Sequence, residues 1–232
     1  SSTPSYSIAA AGTSGNLLAV FKLGASRGAI NLKKFAIQLS SDDSSNGDLT
    51  SSGTNGAQVT LWDATGTKVG SATFTGASKT AISSLSADFI IPADGYKLLY
   101  VKGDLAAIGP AAVVHNSGDL IALDYDCTVL ANTQRRGVSS STVINSSSPS
   151  DTNILSLGGG VRVMKSFPTI TMMPLPGSSL SYGKLLRFRI TASPQGDISL
   201  YKFGVRIRTT GTAVVTGVNA YAYNSSDFTG AT

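Results

Sequence analysis

The sequence predicts an all-β protein of the sandwich class, and three observations carry that expectation. All 13 acidic residues are Asp, with no Glu anywhere in the 232 residues, and Ser, Thr and Gly are abundant, so the usual helix-building residues are scarce. Apolar residues recur at every second position, as in Leu17-Ala19-Phe21-Leu23, Phe35-Ile37-Leu39, Val59-Leu61, Phe188-Ile190 and Phe203-Val205-Ile207, which is the period of a half-buried strand. Turn-forming residues separate these runs, and many short strands with regular punctuation read as a β-sandwich.

The elements follow in chain order. The runs ending at Leu23 and Leu39 flank a turn at Gly24 to Gly28, and the polar stretch Ser40 to Gly56 then leads to the strand through Val59 and Leu61. Asp63 to Thr67 turns the chain again. Asp88 to Ile91 and Lys97 to Lys102 are strands on either side of the Pro92 to Gly95 turn, and Leu120 to Leu130 is a further extended segment. A short helical turn is expected only in Lys102 to Ile108, where DLAAI ends at Gly109-Pro110. Late in the chain, Ser193 to Asp197 separates the Phe188-Ile190 and Phe203-Ile207 strands.

Composition narrows the chemistry. Hydrophobic residues make up 41% and charged residues 13%, with a mean hydropathy of +0.13, which describes a folded chain with a weakly charged surface. One His and one Cys exclude a Cys/His zinc cluster, an intrachain disulfide and any site needing two imidazoles. The net charge of +5 comes from 18 basic residues spread along the chain, so it predicts a general preference for anionic partners. No nucleic-acid-binding motif accompanies that charge, so no nucleic acid partner is expected. No apolar run is long enough for a transmembrane helix, and the opening SSTPSYS has neither an initiator Met nor a leader pattern, which predicts a processed or trimmed start.

An internal repeat sets the organisation. Phe21-Lys22-Leu23-Gly24-Ala25-Ser26, followed by the run from Gly28 to Leu39, matches Phe188-Arg189-Ile190-Thr191-Ala192-Ser193 and the run from Gly196 to Ile207. The shared pattern is F-[KR]-[LI]-x-A-S, a short turn, then G-x-I-x-L-x-K-F-x-[IV]-x-[LI]. Downstream, Val59 and Trp62 answer Val218 and Tyr221, and Phe74-Thr75-Gly76 answers Phe228-Thr229-Gly230. The expected division is a first β module over residues 1–160 and a second, partial one over 161–232, joined near Gly158-Gly159-Gly160 to Pro168. The second copy lacks equivalents of the later strands of the first. Its apolar face is expected to be covered by residues beyond Thr232 or by the Ser1 to Gly15 stretch of a neighbouring subunit, donated as a strand.

The order VTLWDATGTKVGSATFTG, IPADGYKLLYVKGDLAAIG, SGDLIALDYD, GGVRVMKSFPTI and LLRFRITASPQGDISLYKFGVRI resembles large secreted surface proteins with tandem immunoglobulin-like modules from ultra-small, candidate-phyla bacteria. That resemblance implies tandem immunoglobulin-like sandwiches, an extracellular, cell-surface location, and a non-enzymatic structural role in a surface layer or filament. The partners are then copies of the chain itself in a homopolymer, with anionic cell-wall polymer or glycan as a further partner. The rival reading is an adhesin or carbohydrate-binding module.

The candidate sites are few. Gly24-Ala25-Ser26-Arg27-Gly28 fits the G-x-S-x-G nucleophile elbow, but a strand rather than a helix follows and His115 is the one available base, so a hairpin turn is expected. Asp42, Ser44, Asn46 and Asp48 alternate as in the first half of a calcium loop, yet Gly53 stands where the closing bidentate Glu belongs, so a solvated loop is favoured over a calcium site. No other cofactor is expected. Asp119, Asp124 and Asp126 are read as exposed flanks of a strand, and Cys127 as a small buried residue within it. Arg187, Arg189, Lys202, Arg206 and Arg208, with Tyr221 and Tyr223, are read as one face of two neighbouring strands, a candidate interface for a subunit or an anionic polymer. On the alternation rule Phe21, Phe35, Ile37, Phe188, Ile190, Phe203 and Val205 point inward and Lys22, Arg189 and Arg206 outward.

Overall fold

The computed structural model describes residues 6–40, 46–50, 56–109, 117–126, 128–145, 159–175, 185–212 and 214–225. The chain divides into two compact units, Ser1–Ile198 and Ser199–Thr232.

The first unit is an all-β sandwich built from curled antiparallel sheets. Strand β1 (Ser7–Ala10) leads into β2 (Asn16–Ala25) and β3 (Ile30–Leu39), the two long alternating runs of the first repeat copy. Between them the Gly28 N–H donates to the Ser26 carbonyl at 2.9 Å, and Arg27 takes a left-handed φ of 68°, so G-A-S-R-G is a hairpin turn followed by a strand. Next come β4 (Ala57–Trp62), β5 (Lys68–Phe74), β6 (Thr80–Ile91) and β7 (Gly95–Gly103). In β4 burial alternates without a break, with Ala57, Val59 and Leu61 inward, as its sequence requires. Short strands β8 (Leu120–Ile121), β9 (Leu123–Tyr125), β10 (Gln134–Gly137), β11 (Val143–Asn145) and β12 (Val161–Met164) complete the sandwich.

The large sheet runs β11-β10-β3-β6-β5-β4-β7-β2, with β9 added on β3, and a three-stranded sheet runs β1-β12-β8. Although β2 ends that path and β3 lies in its other half, the Phe21 ring meets Phe35 edge-on at 5.0 Å, and Phe35 stacks on Tyr125 of β9 at 5.3 Å. The sheet therefore curls back on itself, and the core lies between its halves, filled by Leu18, Phe35, Ile37, Leu61, Phe74, Phe89, Leu99 and Val101. The β8–β9 segment closes a corner: Ile121 pairs with Val161 in the small sheet, and Leu123 pairs with Leu39 in the large one.

Register shifts interrupt several ladders of the described strands, and two of them bear on the core and on Asp88. Between Leu17 and Ala19 the register with β7 shifts, so Leu18, Ala19, Val20 and Phe21 are all buried instead of alternating. Between Leu32 and Lys34 the register with β6 shifts as well, leaving Asp88 on the bulged strand to meet Lys33 at 2.7 Å and accept from the Asn31 amide at 2.7 Å. That arrangement holds the Asp88 carboxyl below its ordinary value, chiefly through the Lys33 hydrogen bond and then through Asn31.

Three expectations change here. The helical turn in Lys102 to Ile108 does not form. The backbone of that stretch is hydrogen-bonded to other parts of the chain, Leu105 N–H to the Thr13 carbonyl at 2.8 Å and Ala106 N–H to the Asp48 carbonyl at 2.9 Å, which seats Leu105 in the core. Short 3-10 turns occur instead at Asn46–Asp48 and Leu130–Asn132. Val161–Met164, read from sequence as the start of the second module, pairs in parallel with β1 and antiparallel with β8, and its Val161 and Val163 enter the sandwich core. Ser7–Ala10, the centre of the proposed donor strand, is accordingly engaged within its own chain.

After β12 the first unit ends in a two-stranded ribbon, β13 (Pro168–Met172) with β14 (Phe188–Ala192), in the register Ile170 to Ile190. Phe188 and Ile190 are half-buried and Arg189 is exposed, which keeps the expected parity in weakened form.

In the second unit the described residues form no strand. Phe203 and Val205, expected inward, are each 51% exposed, and Leu200 and Ile207 are 52% and 43% exposed. Their counterparts Leu32, Phe35, Ile37 and Leu39 are at most 2% exposed. The physical reason lies in the ladders of the first copy: β2 pairs with β7, and β3 pairs with β6, β9 and β10, all from residue 80 onward, and the described residues of the second unit include no such strands.

Candidate assembly surface

The predicted interface residues fall in both units. Arg187 is half-buried just before β14 and donates through Nη1 to the Pro174 carbonyl at 3.3 Å, so it braces the ribbon that it was expected to decorate. Arg189 stands exposed on β14 opposite Thr171. Lys202, Arg206, Arg208 and Tyr221 are exposed in the second unit, whereas Tyr223 is half-buried and forms a single bridge residue. Arg187 and Arg189 therefore belong to a paired ribbon, and Lys202, Arg206 and Arg208 to a segment without assigned strands.

What the sequence reading missed is that the apolar residues between these cations are exposed too. Leu200, Tyr201, Phe203, Val205 and Ile207 stand beside Lys202, Arg206 and Arg208, and Tyr201 is fully exposed. An exposed array of large apolar side chains rimmed by charge is the usual composition of a contact surface. The signal was in the repeat: Leu32, Phe35, Ile37 and Leu39, the counterparts of Leu200, Phe203, Val205 and Ile207, are core in copy one.

The first copy handles its outward cations differently. Lys22 lies over the Tyr96 ring at 4.2 Å, Lys97 over Phe89 at 4.4 Å and Lys102 over Trp62 at 4.9 Å. Trp62 also donates from Nε1 to Thr60 Oγ1 at 2.8 Å, so it is an anchored, half-buried residue at the end of β4. Asp63 accepts from the Thr65 hydroxyl at 2.6 Å and the Thr67 N–H at 2.9 Å, and these bonds, the Thr65 hydroxyl foremost, hold its carboxyl below the ordinary 3.8.

The acidic candidates behave otherwise than expected. Asp124 and Asp126 are buried, in and just after β9, where the chain has passed from β8 of the small sheet onto β3 of the large one. Asp126 is satisfied locally, accepting from the Thr128 N–H at 2.9 Å and hydroxyl at 2.6 Å. Of the calcium-loop candidates, Asp42 and Ser44 lie outside the described residues, as do His115 and Cys127. Asn46 begins the 3-10 turn, and Asp48 is buried with its carbonyl fastened to Ala106. Among the described residues no group of three or more His, Cys, Asp or Glu is placed to hold a metal ion. No described helix is long and apolar enough to cross a membrane.

No protein-family model matches the chain, and no curated protein matches it significantly.

Proposed function

We propose that the chain is a non-enzymatic structural subunit of an extracellular surface layer or filament, made of immunoglobulin-like modules that assemble through β-sheet edges. The observation that carries this reading is the contrast between a closed sandwich in the first copy and an exposed apolar array at the same pattern positions in the second. At about 25 cal/mol per Å² of apolar area, covering such an array on association contributes several kcal/mol. Polymerisation by a surface of one subunit meeting a different surface of the next is the open, head-to-tail form of assembly. Negative-stain electron microscopy of the purified chain tests the reading: regular filaments or lattices without added ligand are expected, and monodisperse single particles across a wide concentration range would overturn it.

A second reading, an adhesin or carbohydrate-binding module, draws on the exposed Tyr201 and Tyr221 rings with Lys202 and Arg206 in the same unit. Glycan-array binding by a chain that stays monomeric would favour it.

A further inference from the structure

We propose that the outer face of the neighbouring strands β5, β4, β7 and β2 binds an anionic polysaccharide through Trp62, Tyr96, Tyr100, Lys22, Lys68 and Lys102. Val59 and Leu61 of β4 and Leu99 and Val101 of β7 point into the core, so by alternation Trp62, Tyr96, Tyr100 and Lys102 point out. Register sets these side chains next to one another. Lys68, Trp62 and Tyr100 form one row across β5, β4 and β7, Lys102 stands beside Thr60 in the next row, and Lys22 of β2 reaches the Tyr96 ring. Tyr96 and Lys102 are six residues apart on β7, about 20 Å along an extended strand, which suits a chain of linked sugar rings better than a single one.

Charge selects the ligand. Among the described residues Lys22, Lys68 and Lys102 form no ion pair, and the strand positions of this face carry no acid. The carboxylates that border these strands in sequence are engaged in turns: Asp63 with Thr65 and Thr67, Asp94 with the Arg27 N–H, and Asp104 with the Gly15 N–H. Rings take the place of acids here, with Lys22 over Tyr96 and Lys102 over Trp62, so each ammonium is held in position while its N–H donors stay available to an anion. Tyr100 has no cation over it among the described residues, which leaves its ring to lie against a sugar. Gln58, Ser71 and Thr73, half-buried on the same face, make no side-chain hydrogen bond among the described residues and can meet hydroxyl groups. A single-stranded nucleic acid is a poorer fit, because stacking successive bases needs several open rings.

The test uses the full chain, with polygalacturonate as the anionic probe and dextran and oligothymidylate as comparisons. Trp62 is the single tryptophan of the chain, so its emission reports on this face directly. A saturable change in that emission is expected with polygalacturonate and none with dextran. Lys22→Gln with Lys102→Gln should weaken binding about tenfold, and Tyr96→Ala, at a side chain already 58% exposed, about threefold. Arg189→Gln with Lys202→Gln removes the same charge from exposed positions where the sequence led one to expect an anionic polymer, and should leave binding unchanged. Absence of saturable binding, equal losses in the two double variants, an unresponsive Trp62, equal binding of dextran, or tighter binding of oligothymidylate would each overturn the inference. It goes beyond the assembly reading and does not depend on it: filaments from a chain that ignores polygalacturonate refute this site alone, and polygalacturonate binding by a chain that never polymerises refutes the assembly reading alone.

Discussion

Residues 32–39 and 200–207 are written in the same pattern and meet opposite fates. Phe35 touches Phe21 and Tyr125 in a closed core, while its counterpart Phe203 is half exposed. Alternation thus specifies which side chains share a face of a strand, but the neighbouring strands decide whether that face is covered. A repeat of this kind is a statement about compatibility, and burial is a property of the pairing.

Four measurements break or sharpen that comparison. The largest effect belongs to Phe35→Ala, expected to cost about 3–5 kcal/mol by chemical denaturation, against Phe203→Ala within about 0.5 kcal/mol of wild type. Equal losses would mean that Phe203 is buried in solution and that the contrast is wrong. Brief trypsin digestion comes next: cleavage after Lys202, Arg206 and Arg208 is expected to outrun cleavage after Lys33 and Lys34 by about a hundredfold or more, since the latter need the sandwich to open. Fragments mapped by mass spectrometry decide it.

Gly56→Ala is expected to cost about 2 kcal/mol or more, because Gly56 sits at φ +93° and a Cβ there would lie 2.2 Å from the Phe74 carbonyl oxygen. Gly211, at φ +71° with no neighbour within 4 Å of a built Cβ, is expected to lose only about 1 kcal/mol on the same change. Thermal melts of the two variants separate steric closure from backbone strain. The smallest effect is acid sensitivity. Asp63 is held below the ordinary 3.8 in the folded chain, so its contribution is complete above that value and disappears as pH falls through the lower folded one. Its repeat counterpart is Ala222. A melting temperature that falls slightly more in wild type than in Asp63→Asn between about pH 5 and about pH 2 is the expected result, and identical slopes would refute it.

Much of the first copy was legible before any coordinates. The inward set Phe21, Phe35 and Ile37, the outward Lys22, the G-A-S-R-G turn and the all-β class follow from period and turn chemistry, both of which are local. The burial of Leu18 and Val20 was not legible, since a bulge shifts parity without changing composition. Nor was the burial of Asp124 and Asp126, which depends on where the chain passes from β8 in the small sheet to β9 in the large one. Leu105 escaped the helical turn suggested by DLAAI because Leu49 and Thr13, far away in sequence, supply its contacts. At the candidate surface the cations were legible as residues, whereas the exposure of Leu200, Tyr201 and Val205 among them was not, because alternation carries no information about the partner strand.

The parallel pairing of β1 with β12 bears on how the sandwich responds to mechanical load. Ser7 to Ala10 run alongside Val161 to Met164 in the same direction, fastened at the ends by Ser7 N–H to the Gly160 carbonyl at 3.1 Å and Ala11 N–H to the Met164 carbonyl at 2.8 Å. A tension that pulls the chain out ahead of Ser7 and beyond Met164 acts along the strands in opposite senses, so the evenly spaced bonds of this ladder are loaded together in shear instead of parting one by one. The force needed to open the sandwich is then set by the whole four-residue ladder. Pulling in single molecules from the two flanks of the β1–β12 pair should give one high rupture event, and attachment points that peel β1 from a single end should give a much lower one.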